Sequence, residues 1–221
     1  MQGTEALGAT SSCYAKFTMG SPEIRKATLR DLPRAASVLV DAFSAQPLRV
    51  HMLPGVRRRK LAIASGDMAL YAESVLYGTA YVALLDGEIA GVLSWLEPEH
   101  HPRTRLRALA LDAARIPFLF CPPHGFGGFR LQPALDAFHR NEPSLYFTLA
   151  ATSRQFQKRG IASALLKKLV ERAEERGCSI FLETSDHKNL SLYRRFGFEV
   201  VDKAAPLRHG PEVFAMLRPK A

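Results

Sequence analysis

Six consecutive residues, Gln157-Lys158-Arg159-Gly160-Ile161-Ala162, stand between a strand-like run, Tyr146-Phe147-Thr148-Leu149-Ala150-Ala151, and an amphipathic helical pattern. The chain turns through Ser153-Arg154-Gln155-Phe156-Gln157, and the amides around Gly160 open the helix. The first amides of a helix lack intrahelical acceptors and sit at the positive end of its dipole, so such a terminus suits a pyrophosphate. Gly160 admits a close backbone approach, Ala162 keeps the next turn slim, and Lys158 and Arg159 add positive charge. Taken alone, the same six residues are equally an ordinary strand-to-helix turn with a basic start; the flanking elements must decide.

Those elements follow in order. Phe181-Leu182-Glu183-Thr184-Ser185 reads as a short strand, and the stretch from Asn189 through Tyr193 to Gly197-Phe198 as a helix closing at Gly197 with a return strand behind it. The succession strand, Q-x-R-G-I-A, helix, strand, N-x-x-x-Y-x-x-x-G-F resembles the acetyl-CoA-binding half of the GNAT N-acetyltransferase superfamily. Within it, Phe181 to Ser185, Asn189-Leu190, Tyr193 and Phe196-Gly197-Phe198 are most similar to the corresponding run of the puromycin N-acetyltransferases. Ile24 to Thr28, Asp31 to Ala35 and Ala42-Phe43 resemble the opening of the same family, and the likeness thins through the middle of the chain.

The resemblance implies an α/β GNAT fold: a central, mostly antiparallel mixed sheet flanked by helices and splayed near Leu149, at the cofactor site. It implies acetyl-CoA as acyl-donor cosubstrate, no metal, and a small-molecule primary amine as partner, puromycin or a similar antibiotic being the first acceptor to consider. An amine attacking a thioester must be neutral and the departing thiolate must collect a proton. Tyr193 matches the family's acid, and its ordinary pKa of about 10 keeps it protonated at neutral pH; the other reading is a tyrosine packing its helix on the sheet. Glu183 matches the family's candidate base, or makes a structural salt bridge. Backbone amides of Leu149, Ala150, Ala151 and Thr152 would polarise the carbonyl and pair with pantetheine if a bulge frees them. Gln157, Lys158, Arg159, Gly160, Ile161, Ala162 and Ser163 form the expected phosphate cradle. Asn189 would bond the pantetheine arm, or instead cap the helix that carries Tyr193. The family usually has glycine where Lys158 stands; a lysine fits there with negative φ and is strained with positive φ.

The rest of the chain must position these groups. Its 221 residues, 47% hydrophobic, suffice for one enzyme-sized domain. We expect a tail over 1–22, with Met19 an alternative natural start, and a single domain over 23–221, in which 145–201 is the cofactor-binding core. Ile24 to Ala27 reads as a strand. Thr28 with Asp31 signals the start of a helix whose apolar positions Leu32, Ala35, Ala36, Leu39, Val40 and Phe43 recur at helical spacing until Gln46-Pro47 breaks it. A second helical region opens with Arg57-Arg58-Arg59-Lys60 and runs to Gly78; that quartet reads as a solvated face or helix-end charge rather than a nucleic-acid patch. Thr79–Leu85 and Glu88–Leu96 form a hairpin through Asp86-Gly87. The excursion over 97–143 holds helical candidates at Arg105–Arg115 and Leu131–Arg140 around the Pro/Gly-rich stretch Cys121 to Gly128, and serves acceptor recognition or structure alone.

A formal charge of +9 favours polyanionic partners, and the phosphates of coenzyme A account for part of it. No nucleic-acid signature accompanies the charge. His100-His101, His124 and His139 lack metal-ligand spacing. Cys13, Cys121 and Cys178 are too few and scattered for a disulfide framework. No apolar run is long enough to span a membrane and no signal-peptide pattern opens the chain, so the expected location is cytoplasmic. A cofactor-binding module without catalysis, and an acetyltransferase of protein N-termini or lysines, stand as alternatives; the oligomeric state is not legible.

Overall fold

The computed structural model describes residues 21–101, 103–114, 143–207 and 209–220. Seven strands form one sheet: β1 (Glu23–Lys26), β2 (Ala80–Leu85), β3 (Glu88–Leu96), β4 (Ser144–Thr152), β5 (Ser179–Thr184), β6 (Glu199–Ala204) and β7 (Val213–Arg218), in the order β1-β2-β3-β4-β5-β7-β6. Every neighbouring pair is antiparallel except β4 and β5. The helices are α1 (Leu32–Phe43), α2 (Pro47–Met52), α3 (Val56–Ala62), α4 (Met68–Leu76), α5 (Arg105–Ala114), α6 (Ile161–Arg176) and α7 (His187–Arg194). This is the expected α/β GNAT architecture.

Local chemistry explains most of these boundaries. Asp86 and Gly87 both adopt positive φ, 54° and 77°, as a tight hairpin turn between right-twisted strands demands. Before α1, the Asp31 carboxylate accepts from the Thr28 amide at 2.8 Å and its hydroxyl at 2.9 Å. Pro47 ends the α1 pattern and also opens α2 at its first position, where a missing amide is harmless. That short helix replaces the simple break expected there. A π-helical turn over Ile63–Asp67 joins α3 to α4.

Side chains divide the sheet into two covered faces. On one, α6 and α7 supply Ile161, Leu165, Leu166, Leu169, Leu190 and Tyr193 to a core with Leu93, Trp95, Leu145, Phe147, Ile180 and Leu182. On the other, Ala35, Val38 and Leu39 of α1 and Tyr71 of α4 meet Val82, Val92, Leu149 and Ala151. Strand β4 serves both cores because Ser94 pairs with Leu149 while Trp95 pairs with Phe147, leaving Thr148 as an extra residue. A one-residue bulge reverses the facing of everything beyond it, so Phe147 lies in the first core and Leu149 in the second.

The parallel pair is brief. β4 and β5 are in register only over Ser144–Tyr146 and Ser179–Phe181. From Phe147 onward β4 keeps β3 alone as its partner, and from Leu182 onward β5 keeps β7 alone. The sheet therefore forks beside the Thr148 bulge, where the splay was expected.

Candidate active site

The segment expected to cradle an anion lies at one end of the fork. Gly160 caps α6 in left-handed geometry, φ 77° and ψ 0°. The first bond of the helix is donated by the Ala164 amide to the Gly160 carbonyl at 2.9 Å, so the amides of Ile161, Ala162 and Ser163 precede the intrahelical ladder and face outward along the axis. Lys158 and Arg159 are exposed beside them, and the Arg159 guanidinium lies 5.7 Å from the Phe156 ring centre. Lys158 has φ 63°. The lysine thus takes the strained alternative, holding with an L side chain a conformation that suits glycine. Gln157 donates to the Thr152 carbonyl at 3.4 Å, tying the cradle to the end of β4.

Two further residues hold this loop, and no local sequence pattern marks either. Asp41 on α1 accepts at one oxygen from the Ser153 hydroxyl at 2.9 Å and the Arg154 amide at 2.7 Å. Its partners are more than a hundred positions away, beyond the reach of periodicity. Gly91 on β3 faces α6; a Cβ there would lie 2.7 Å from Ile161 Cγ2 and 3.1 Å from the Ala151 carbonyl oxygen. Only a glycine lets the start of α6 lie this close to the sheet.

Along β4, Leu149 to Thr152 pair with Ser94 to Gly91 on one edge. An antiparallel strand directs alternate amides to opposite edges, so part of this backbone points into the fork. The divergence of β5 together with the bulge opens these groups.

Tyr193 and Glu183 lie on opposite faces of the forked sheet. Tyr193, 9% exposed, packs its ring edge-on to Phe147, with centroids 5.9 Å apart, and against Phe198 at 5.8 Å. Burial pushes its hydroxyl pKa up from the ordinary value, and Asp186 adds to the rise, so the group is firmly protonated at neutral pH. It is a weaker acid than an ordinary tyrosine. Glu183 shares its face of β5 with Phe181, and one of its oxygens accepts from the Tyr146 hydroxyl at 3.0 Å. Tyr146 in turn lies against His101, with ring centres 4.6 Å apart. The sequence marks Tyr146 only as the start of an apolar run.

Asp186, not Asn189, caps α7: its carboxylate accepts from the Lys188 amide at 3.0 Å. The Asn189 side chain makes no hydrogen bond among the described residues, so capping does not account for it. The basic quartet also needs correction. Arg57, Arg58 and Lys60 are exposed, but Arg59 is buried and donates to the carbonyls of Ser44 at 2.6 Å, Leu53 at 2.5 Å and Pro54 at 3.0 Å. It closes the ends of α1 and α2. His100 stacks on Tyr77; His124, His139, Cys121 and the helix expected over Leu131–Arg140 lie outside the described residues. Cys178 is a free, buried thiol whose pKa burial raises. No helix among the described residues is long and apolar enough to cross a membrane.

Known proteins share much of this geometry. The model of the acetyltransferase (GNAT) family matches residues 123–198, which include β4, the cradle, α6, β5 and α7. An uncharacterised N-acetyltransferase of Schizosaccharomyces pombe is 24% identical over 187 residues, covering 79% of this chain and 73% of the relative. Among solved structures, a histone acetyltransferase HPA2 and related acetyltransferase from Corynebacterium glutamicum superposes with a TM-score of 0.63 at 26% identity, over 91% of this chain and 98% of that one. The polyamine N-acetyltransferase of Drosophila melanogaster, which forms N-acetylagmatine, superposes with a TM-score of 0.62 at 13% identity, over 90% of this chain and all of its own, and so shares the fold. A sheet forked at β4, a glycine-capped helix at its mouth and the segment matched by the family model give this chain the GNAT fold and support its being an acetyl-CoA-dependent N-acetyltransferase.

Proposed function

We propose that the protein transfers the acetyl group of acetyl-CoA directly to the primary amine of a small molecule, with aminoacyl-nucleoside antibiotics such as puromycin as the first acceptors to test. One observation carries this reading: the fork has a buried, protonated tyrosine on one face and a carboxylate on the other. A thioester entering from the cradle reaches the fork between them.

In the proposed reaction Glu183 takes a proton from the acceptor ammonium, directly or through a water, and the freed amine attacks the thioester carbon. The C–N bond forms, the C–S bond breaks and Tyr193 gives its proton to the departing sulfur; the second proton, shed by the nitrogen as it becomes an amide, restores the Tyr193 phenol. Fork-facing amides between Leu149 and Thr152 polarise the thioester carbonyl. The cradle from Gln157 to Ser163 binds the pyrophosphate, and Asn189 bonds the pantetheine arm. Because burial disfavours the phenolate, Tyr193 keeps its proton until charge develops on the sulfur beside it.

The test is release of free thiol from acetyl-CoA in the presence of puromycin, agmatine and a lysine-containing peptide, the last two being the kinds of acceptor that the structurally similar polyamine and histone acetyltransferases suggest. Puromycin turnover that falls about 100-fold or more in Tyr193→Phe, with unchanged KM for acetyl-CoA, is the expected result. Turnover on the peptide alone would replace the small-molecule acceptor with a protein. Tight coenzyme A binding with no turnover on any amine would refute the catalytic reading.

A further inference from the structure

We infer that Ser94 and Thr148 are positioning residues for acyl transfer: their hydroxyl pair holds the bulge that turns the Ala150 amide into the fork. The inference rests on the reading of fork-facing β4 amides as the groups that polarise the thioester carbonyl. Two hydrogen bonds set the phase of the backbone. The Ser153 amide donates to the Ala90 carbonyl, and the Trp95 amide donates away from β4, to the carbonyl of Thr79 beside β2. Leu149 and Ala151 therefore turn their backbone groups to β3, whereas Ala150 and Thr152 turn theirs to the fork. On the other side of the bulge Phe147, paired with Trp95, also turns away from β3. The step from Phe147 to the next residue that points this way is three positions, where an unbroken strand allows two.

The same extra residue brings the two hydroxyls together. In an unbroken ladder Thr148 would face away from its neighbour Leu149, and so away from Ser94, with which Leu149 is paired. Instead the Ser94 and Thr148 hydroxyl oxygens lie 2.7 Å apart and share a hydrogen bond. That contact requires the bulged arrangement, so it favours the bulge over the straight register into which β4 would slip by one residue. Ser94 is fully buried, and its strand neighbours Leu93 and Trp95 send their side chains to the opposite face. A hydroxyl at such a place costs desolvation unless it is bonded, and an apolar core needs none. Here it is spent on the one residue of β4 that has no partner on β3.

The test is isotope-edited infrared spectroscopy of the full chain with acetyl-CoA labelled at its acetyl carbonyl carbon and no acceptor, alongside calorimetry of coenzyme A binding. In the wild type the thioester carbonyl stretch should lie below that of free acetyl-CoA, because an aimed amide polarises the bond. Thr148→Val keeps the side-chain shape and removes the hydroxyl. It should return the band most of the way to the free position while changing the affinity for coenzyme A by less than about two-fold. Ser94→Ala should do the same, the double variant should add nothing, and Thr148→Ser should keep the wild-type band. A wild-type band in both Thr148→Val and Ser94→Ala overturns the inference. So does a large fall in coenzyme A affinity, or failure of both variants to fold, either of which would make the pair a prop of the whole sheet. If Thr148→Val alone fails to fold, Ser94→Ala, which leaves β4 unaltered, decides. A wild-type band at the free position instead removes the β4 amides as the polarising groups, and this inference with them.

Discussion

Lys158 holds φ 63° in the loop proposed to receive the pyrophosphate. For an L residue this region brings Cβ against the following carbonyl and costs about 1–2 kcal/mol. Its exposed ammonium would offset that strain only when an anion is bound nearby. Lys158→Gly separates the two effects: the backbone relaxes and the charge is lost. The free variant should therefore be more stable than the wild type by about 1 kcal/mol, while its KM for acetyl-CoA rises and depends less on ionic strength. Thermal melts with and without coenzyme A, at low and high salt, read both. A lower melting temperature in the free variant would show that Lys158 makes a stabilising contact instead.

The junction of β3, β4 and α6 places the cradle. Ile161 and Leu165 of α6 lie on Gly91, and the Ser153 amide donates to the neighbouring Ala90 carbonyl at 3.0 Å. Gly91→Ala drives a methyl group into the Ile161 side chain and the Ala151 carbonyl, so the start of α6 must lift from the sheet. A loss of about 1–3 kcal/mol in stability is expected, with a weaker affinity for coenzyme A in calorimetry; unchanged affinity would show that the cradle moves as one with the helix. Much of this junction was legible beforehand because it is local in sequence. The strand, the turn with Gly160 and the helix are contiguous, the Asp86-Gly87 turn announces its hairpin, and the spacing of Leu32, Ala35, Leu39 and Phe43 announces α1. What escaped reading was tertiary. Gly91 matters only because a helix seventy positions on crosses it, Asp41 because its loop partners come from the far side of the sheet, and Tyr146 because β5 delivers Glu183 to it. Pro47 signals in sequence only the end of one helix although it also begins the next, and Arg59 stands in a run of exposed bases from which helical phase alone separates it.

Two cores on the faces of one sheet should melt as a unit, and pH should reach both through groups that hold the ends of the sheet. Asp31 lies beneath the link from β1 to α1, and Arg25, donating at 2.8 Å to each carboxylate oxygen, holds its pKa well below the usual carboxylate range against the opposing effect of burial. A carboxyl whose folded pKa is depressed contributes stability above its unfolded value of about 4, and loses that contribution as pH falls from there toward the folded value. Tyr71, buried between α1 and the sheet with its hydroxyl donating to the Tyr81 carbonyl at 2.9 Å, behaves oppositely: burial raises its pKa, as it does for Tyr193. Their contribution is complete below the unfolded value of about 10 and declines as pH climbs beyond it. Melting temperature against pH should thus form a plateau that falls away below about pH 4 and above about pH 10. Asp31→Asn should lower the plateau by about 1–3 kcal/mol and make the acid limb shallower, leaving the alkaline limb alone; Tyr71→Phe should flatten the alkaline limb and leave the acid one. If Asp31→Asn melts in parallel with the wild type down to pH 2, acid sensitivity resides in other carboxylates, and the Arg25–Asp31 pair serves only to orient the start of α1.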